Sequence, residues 1–237
     1  MINRSSILKA RFSTARKFLV LLVFLPILFQ GCAQSRISPV PVRNGEADWP
    51  RRIAIFPIQR IDVDEILEHA YRCPISGTIV TAGNLELSAE AVVEDELLRR
   101  LDIPVKYQIV PPERVNGVFQ RISSGSFKMS TREMLLKSGR ELNADAVIYG
   151  YVYRFRERKG YAYGIDQAAS VAFAMHLVSV RDGSLLWKGI FDKTQTSLME
   201  NVLQILAFYK EGGRWITARE LTDEGMAEIL ESFPGWQ

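Results

Sequence analysis

The sequence predicts an α/β (α+β) domain on a mixed sheet that ends in an antiparallel three-strand meander, with helices mainly on one face. Three observations lead there. Residues 51–58 (RRIAIFPI) hold a nearly continuous apolar run, Ile53, Ala54, Ile55 and Phe56, the mark of a strand covered on both faces. Residues 144–158 (ADAVIYGYVYRFRER) form the longest strand pattern, and two further strand patterns follow over 170–180 and 184–193. Helical patterns with recognisable start signals lie between the first strand and the long one, and again at the end of the chain.

The chain opens with Arg4, Lys9, Arg11, Arg16 and Lys17 and no carboxylate before residue 18. Residues 18–29 are twelve apolar or proline positions, followed by Gln30, Gly31 and Cys32. A basic segment, a short apolar run and a small residue at the cut describe a cleaved secretory signal. A bilayer span needs roughly 20 apolar residues, and this run is shorter. Leu28-Phe29-Gln30-Gly31-Cys32 resembles the lipobox of bacterial lipoproteins, in which signal peptidase II cuts before a lipidated cysteine. Gly31 and Cys32 match it; Phe29 stands where leucine is usual, and Leu28 sits one place early. The resemblance implies lipidation at Cys32, with an ordinary leader and a chance cysteine as the alternative. Residues 33–50 are rich in Ser, Pro and polar groups and read as a tether, which reaches roughly 60 Å when extended. The expected organisation is a signal peptide over 1–31, a lipidated cysteine and tether over 32–50, and one domain over 51–237.

Charge follows this division. Five of the 30 lysines and arginines precede residue 32, so the remaining 206 residues carry 25 against 27 acidic residues, close to −2. A nucleic-acid-binding domain calls for a net basic surface, and none is expected here. That length suffices for one domain with a core, and its apolar content is that of a globular protein. The only other cysteine is Cys73; with Cys32 lipidated it has no intrachain partner, leaving either a buried inert thiol or a reactive one.

After the first strand, Pro57 ends regular pairing. Over 59–87, Ile61, Ile66 and Leu67 hint at a short helix, and Cys73-Pro74-Ile75-Ser76-Gly77 marks a turn. Ser88 is positioned to cap a helix through Leu101. Residues 105–110 alternate as a half-buried strand, and Pro112 suits the first position of a short helix over Val115 to Ile122. Ser130 and Glu133 have capping-box spacing for a helix to Asn143. In the long strand, Tyr149, Tyr151, Tyr153 and Phe155 share one face, and Ile148, Val152, Arg154, Arg156 and Arg158 the other. Asp182-Gly183 signals a hairpin between the last two strands, with Leu185, Trp187, Gly189 and Phe191 on one face of the second. Leu198, Met199, Val202, Leu203, Ile205, Leu206 and Tyr209 recur at helical spacing, and Gly212-Gly213 stops that helix. Thr217 and Glu220 start a final capped helix in which Gly225 is a weak spot.

The passage Asn143-Ala144-Asp145-Ala146-Val147-Ile148-Tyr149-Gly150, a helix end followed by Ala-Asp and an apolar strand, resembles one in certain periplasmic lipoproteins. These are the curli-secretion lipoprotein, the activator lipoprotein of penicillin-binding proteins and related envelope lipoproteins. Val180-Arg181-Asp182-Gly183-Ser184-Leu185-Leu186-Trp187 is similar to their second hairpin. The likeness spans about residues 51 to 195. It implies a non-catalytic domain on a lipid anchor that serves envelope assembly through protein contacts. Ala33 after the cysteine implies, by analogy with enteric sorting, the periplasmic face of a Gram-negative outer membrane.

Residues able to carry chemistry are few. His69 and Cys73 stand four apart, as two metal ligands on one helical turn would, but Pro74 and the missing third ligand argue against zinc. There is no G-x-S-x-G elbow, phosphate loop or dinucleotide fingerprint, and no cofactor is expected. Asp62, Asp64, Glu65 and Glu68 read as a solvated loop, and Asp145 as a cap on backbone amides. Arg154, Arg156, Arg158 and Lys159, beside Tyr161 and Tyr163, are candidates for binding an anionic partner. The alternative is a solvated strand end that discourages edge pairing. Leu198, Val202, Ile205 and Tyr209 are candidates for self-association or a membrane-lying face, against core packing. The function expected is a lipid-anchored, periplasm-facing, non-catalytic binding or scaffold protein, with an envelope protein or a second copy as partner. A subunit of a secretion or lipid-transport assembly, and a hydrolase built on Cys73, His69 or the 62–68 carboxylates, are the alternatives.

Overall fold

Two strands that must hide apolar side chains on both faces, one near residue 54 and one near residue 150, determine how the rest is laid out. The structure is a computed structural model describing residues 49–62, 69–101, 107–125, 129–160, 165–195 and 215–234. In chain order the strands before the first helix are β1 (Arg52–Ile55), β2 (Gln59–Arg60), β3 (His69–Arg72) and β4 (Ile79–Ala82). Helix α1 (Ala89–Leu101), β5 (Gln108–Ile109), α2 (Pro112–Ser124) and α3 (Thr131–Glu141) follow. Then come β6 (Ala146–Arg156), β7 (Lys159–Gly160), β8 (Ile165–Gln167), β9 (Ser170–Ser179), β10 (Leu185–Thr194) and α4 (Ala218–Leu230).

Six strands make one open mixed sheet in the order β10-β9-β6-β1-β5, with β2 continuing the line of β1 along β6. β1 runs parallel to β5 and β6, whereas β6, β9 and β10 form the expected antiparallel meander. Two ribbons, β3–β4 and β7–β8, stand apart from it. The α/β class is therefore the one the sequence predicts. The four described helices, expected mainly on one face, instead divide two and two. α1 and α4 enclose a cluster that includes Ile53, Ile148, Phe173 and Phe191. On the other face α2, α3 and the β3–β4 ribbon cover Phe56, Tyr149, Tyr151 and Tyr153. The reason lies in β6 and β9, which are apolar at both parities, so neither face can be left to water.

Local signals place the ends. Ser130 and Glu133 form a capping box, as do Thr217 and Glu220. Pro112 sits at the first turn of α2. Ser88 precedes α1 in the left-handed region at φ 65°, not in the extended range usual for a cap, and its carbonyl accepts from the Val92 amide at 3.1 Å. Helix α3 ends with Asn143 at φ 51°, and the amides of Asn143 and Ala144 donate to the carbonyls of Arg140 and Gly139. Asp145 then accepts from the amides of Arg51 and Arg52, each at 2.9 Å, which is the capping role expected of it.

The face assignment along β6 changes part-way. Val152 pairs with Phe173 but Arg154 with Ala172, so Tyr153 is an extra, bulged residue. Tyr153 and Arg154 therefore share the tyrosine face, and Phe155 moves to the opposite one with Ile148 and Val152. A second bulge between Leu185 and Trp187 likewise separates Leu185 from Trp187 and Phe191.

Gly225 is a close-approach site. A Cβ there would lie 2.5 Å from Phe191 Cδ1 and Cγ. Alanine would gain about 1 kcal/mol in helix propensity, while overpacking a core costs about 1–3 kcal/mol, so the clash prevails. Gly225→Ala is expected to lower the urea midpoint, and Phe191→Leu in the same chain to recover part of the loss.

Candidate functional site

The β3–β4 ribbon reverses through Cys73-Pro74-Ile75-Ser76-Gly77-Thr78. The Cys73 amide donates to the Thr78 carbonyl and the Gly77 amide to the Cys73 carbonyl, both at 2.9 Å. Gly77 takes φ 69°, which a side chain rarely tolerates. This turn aims the Cys73 sulfur into the sheet, where His176 projects from the middle of β9 in register with Tyr149 of β6 and Lys188 of β10.

Sγ of Cys73 lies 3.3 Å from His176 Nε2, and Ser76 Oγ is also 3.3 Å from that nitrogen. His176 Nδ1 is 3.1 Å from the Tyr149 carbonyl. A carbonyl only accepts, so Nδ1 carries a proton and Nε2 faces the sulfur and the hydroxyl. Cys73 is 1 % exposed and His176 not at all. Burial pushes the thiol up, but the hydrogen bond and charge of His176 and the hydrogen bonds from Ser76 outweigh it and bring it down to about 6. Tyr153, fully buried, has its hydroxyl beside the same sulfur without a hydrogen bond of ordinary geometry. Burial, then the charge of Cys73, pushes that phenol far up. Chemically the arrangement is a thiol–imidazole pair that can exchange one proton across 3.3 Å, lined by two hydroxyls.

A second polar group fastens the ribbon above this pair. Arg154, 2 % exposed, donates from Nε to Ser170 Oγ at 2.6 Å, from Nη1 to the Thr81 carbonyl at 2.7 Å and from Nη2 to Asp192 Oδ1 at 2.5 Å. Asp192 also accepts from the Thr81 amide at 3.1 Å, and the Gly83 amide donates to the Tyr153 carbonyl at 2.9 Å. Arg154 is thus an interior clamp and not part of a surface patch, because the bulge at Tyr153 turned it inward. Arg156 and Arg158 are half-buried and Lys159 is exposed at the strand end.

Of the other candidates, His69 pairs with Ala82 at the start of β3, and the imidazole at Cys73 is His176. Asp62 accepts from Arg60 at 2.9 Å. Among the described residues no three His, Cys, Asp or Glu side chains gather as metal ligands. Cys32, Asp64, Glu65, Glu68, Tyr161, Tyr163, Leu198, Val202, Ile205 and Tyr209 lie outside the described residues. So do the hinted helix around Ile66 and Leu67 and the leader. Sequence reasoning missed His176, which is 103 positions from Cys73, and missed Asp192, Ser170 and Thr81 as partners of Arg154. No local spacing encodes these pairs.

Fold and site together define a mixed-sheet α/β domain whose reactive groups are engaged inside it. Among the described residues no helix is long and apolar enough to cross a membrane. No family model matches the chain, and no curated protein does. Among solved structures it is similar to PelC from Paraburkholderia phytofirmans, solved as a dodecamer, at 16 % identity and TM-score 0.38 over 77 % of this chain and 86 % of that one. It is similar to the LpoB C-terminal domain from Salmonella enterica at 16 % identity and TM-score 0.36, over 61 % and 83 %. It is also similar to lipoprotein GNA1162 from Neisseria meningitidis at 14 % identity and TM-score 0.37, over 69 % and 99 %. The likeness to these envelope lipoproteins is one of fold, at low identity.

Removing the clamp loosens the ribbon. Arg154→Ala is expected to destabilise the domain by about 3 kcal/mol in denaturant titrations. Amide exchange at Thr81 and Gly83 is expected to rise beyond the rise elsewhere.

Proposed function

We propose that the chain is a lipid-anchored, non-catalytic binding or scaffold protein of the bacterial envelope, facing the periplasm from the outer membrane. The observation that carries this reading is the basic leader ending in Gly31-Cys32, followed by a polar, proline-containing stretch that runs up to Trp49, which is packed on the core just ahead of β1. The supporting physics is simple. Lipid on Cys32 holds the chain at a bilayer, and the tether raises the effective concentration of the domain toward neighbours, so modest affinity suffices. Contact with an acidic partner is assigned to Arg156, Arg158 and Lys159 at the end of β6 and the start of β7, without the buried Arg154. Self-association is assigned to the apolar stripe of Leu198, Val202, Ile205 and Tyr209.

Cys32→Ala is expected to abolish fatty-acid incorporation and to move the protein from the membrane fraction to the soluble one. Unchanged mass and fractionation would end the lipid-anchor reading. For the stripe, aspartate at both Val202 and Ile205 is expected to leave the domain folded while reducing assembly size in detergent. Loss of folding with unchanged assembly size assigns the stripe to the core.

A further inference from the structure

The Cys73–His176 pair is not used by the function proposed above, and it has the parts of a reactive thiol. The nucleophile is Sγ, the proton-holding group is Nε2 at 3.3 Å, and the imidazole is oriented by the Tyr149 carbonyl at 3.1 Å. A second observation points to an added atom at this place. The Tyr153 hydroxyl is fully buried beside the sulfur and lacks a hydrogen bond of ordinary geometry, so it can donate to an oxygen attached there. Ser76, half-buried at the turn, holds its hydroxyl 3.3 Å from Nε2. The cover is thin: β3 and β4 contribute four residues each, and a two-stranded ribbon alone is marginally stable.

We propose that Cys73 is a modification site for small hydroperoxides, oxidised to a sulfenic acid with His176 supplying the proton. In the step, the thiolate sulfur attacks one peroxide oxygen and an S–O bond forms as the O–O bond breaks. The departing hydroxide takes the proton from His176 Nε2 and leaves as water, so sulfur loses two electrons and hydrogen peroxide gains them. The products are Cys73–SOH, water and neutral His176. Return to the thiol consumes two equivalents of an external thiol and yields a disulfide and water. The thiolate persists at mildly acidic pH because His176 and Ser76 hold it. The groups facing the sulfur are His176 from β9, Ser76 from the turn, and Tyr151 and Tyr153 from β6; Tyr71 from β3 packs behind them, its ring 5.7 Å from that of Tyr153. Lys188 from β10 reaches the same turn through Thr78 Oγ1 at 3.2 Å.

The test treats the full chain, in detergent, with hydrogen peroxide and dimedone between pH 5 and 8 and reads the Cys73 peptide by mass spectrometry. The expected result is a dimedone adduct on Cys73 of the folded chain, at a rate that rises with pH around a midpoint near 6. His176→Gln is expected to slow the reaction about tenfold at pH 6, the loss of thiolate outweighing its gain in nucleophilicity. Tyr153→Phe, of nearly equal volume, is expected to slow it about fivefold with the midpoint unchanged. An adduct that forms only in guanidinium overturns the proposal and leaves Cys73 an inert core thiol. A folded-chain midpoint equal to that of the unfolded chain overturns it as well. Should His176→Gln fail to fold, a wild-type rate in Tyr153→Phe has the same consequence.

Discussion

Strand β6 is hydrogen-bonded along both edges and buried on both faces for ten of its eleven residues, and its neighbours must meet that constraint. On one edge it takes β1 and β2 in parallel, on the other β9 in antiparallel, which makes the sheet mixed. Its alternate side chains feed two separate apolar clusters, and each needs its own cover: α1 and α4 for one, α2, α3 and the β3–β4 ribbon for the other. The fit is close at Gly150, where a Cβ would stand 2.5 Å from Met175 Sδ and 2.6 Å from Ile58 Cδ1. A central strand of this kind leaves little freedom to shift one neighbour without moving another.

The bulge at Tyr153 joins this frame to the ribbon. One extra residue puts a tyrosine and an arginine on the same face, and the arginine then needs partners inside the protein. Ser170, Thr81 and Asp192 satisfy three of its donors, and Asp192 remains partly wet, which moderates the cost of withdrawing the pair from water. The ribbon is thereby tied to β6 and β10 at once, and its turn holds Cys73 against His176. The thiol–imidazole contact thus depends on a single inserted residue, four positions along β6 from Tyr149.

Much of the frame was legible in local pattern. The apolar run at Ile53–Phe56, the Asp182-Gly183 turn, the two capping boxes and Asp145 between helix and strand each depend on residues a few positions apart, and each is found in place. What escaped was non-local or parity-breaking. The bulge leaves no mark in a sequence whose alternation continues through it, so Arg154 read as a surface cation and Phe155 as a partner of the tyrosines. The β3–β4 ribbon has neither long alternation nor strong strand formers throughout, as His69-Ala70-Tyr71-Arg72 illustrates. His176 lies inside an apolar strand, and only the fold brings to it a cysteine 103 positions away. Gly225 read as a weakness because helix propensity is local, whereas its use is the ring of Phe191 lying across the helix.

The clasp of Asp145 on the Arg51 and Arg52 amides has a mechanical side. Any tug arriving along the chain from the N-terminal direction passes Trp49, packed on the core, and buried Pro50, then these two amides, and then β1, which is flanked by parallel neighbours on both edges. Such a load runs along the strand and stretches all its cross-strand bonds together in shear, instead of peeling them one by one. Strain at that end would be shared across the middle of the sheet.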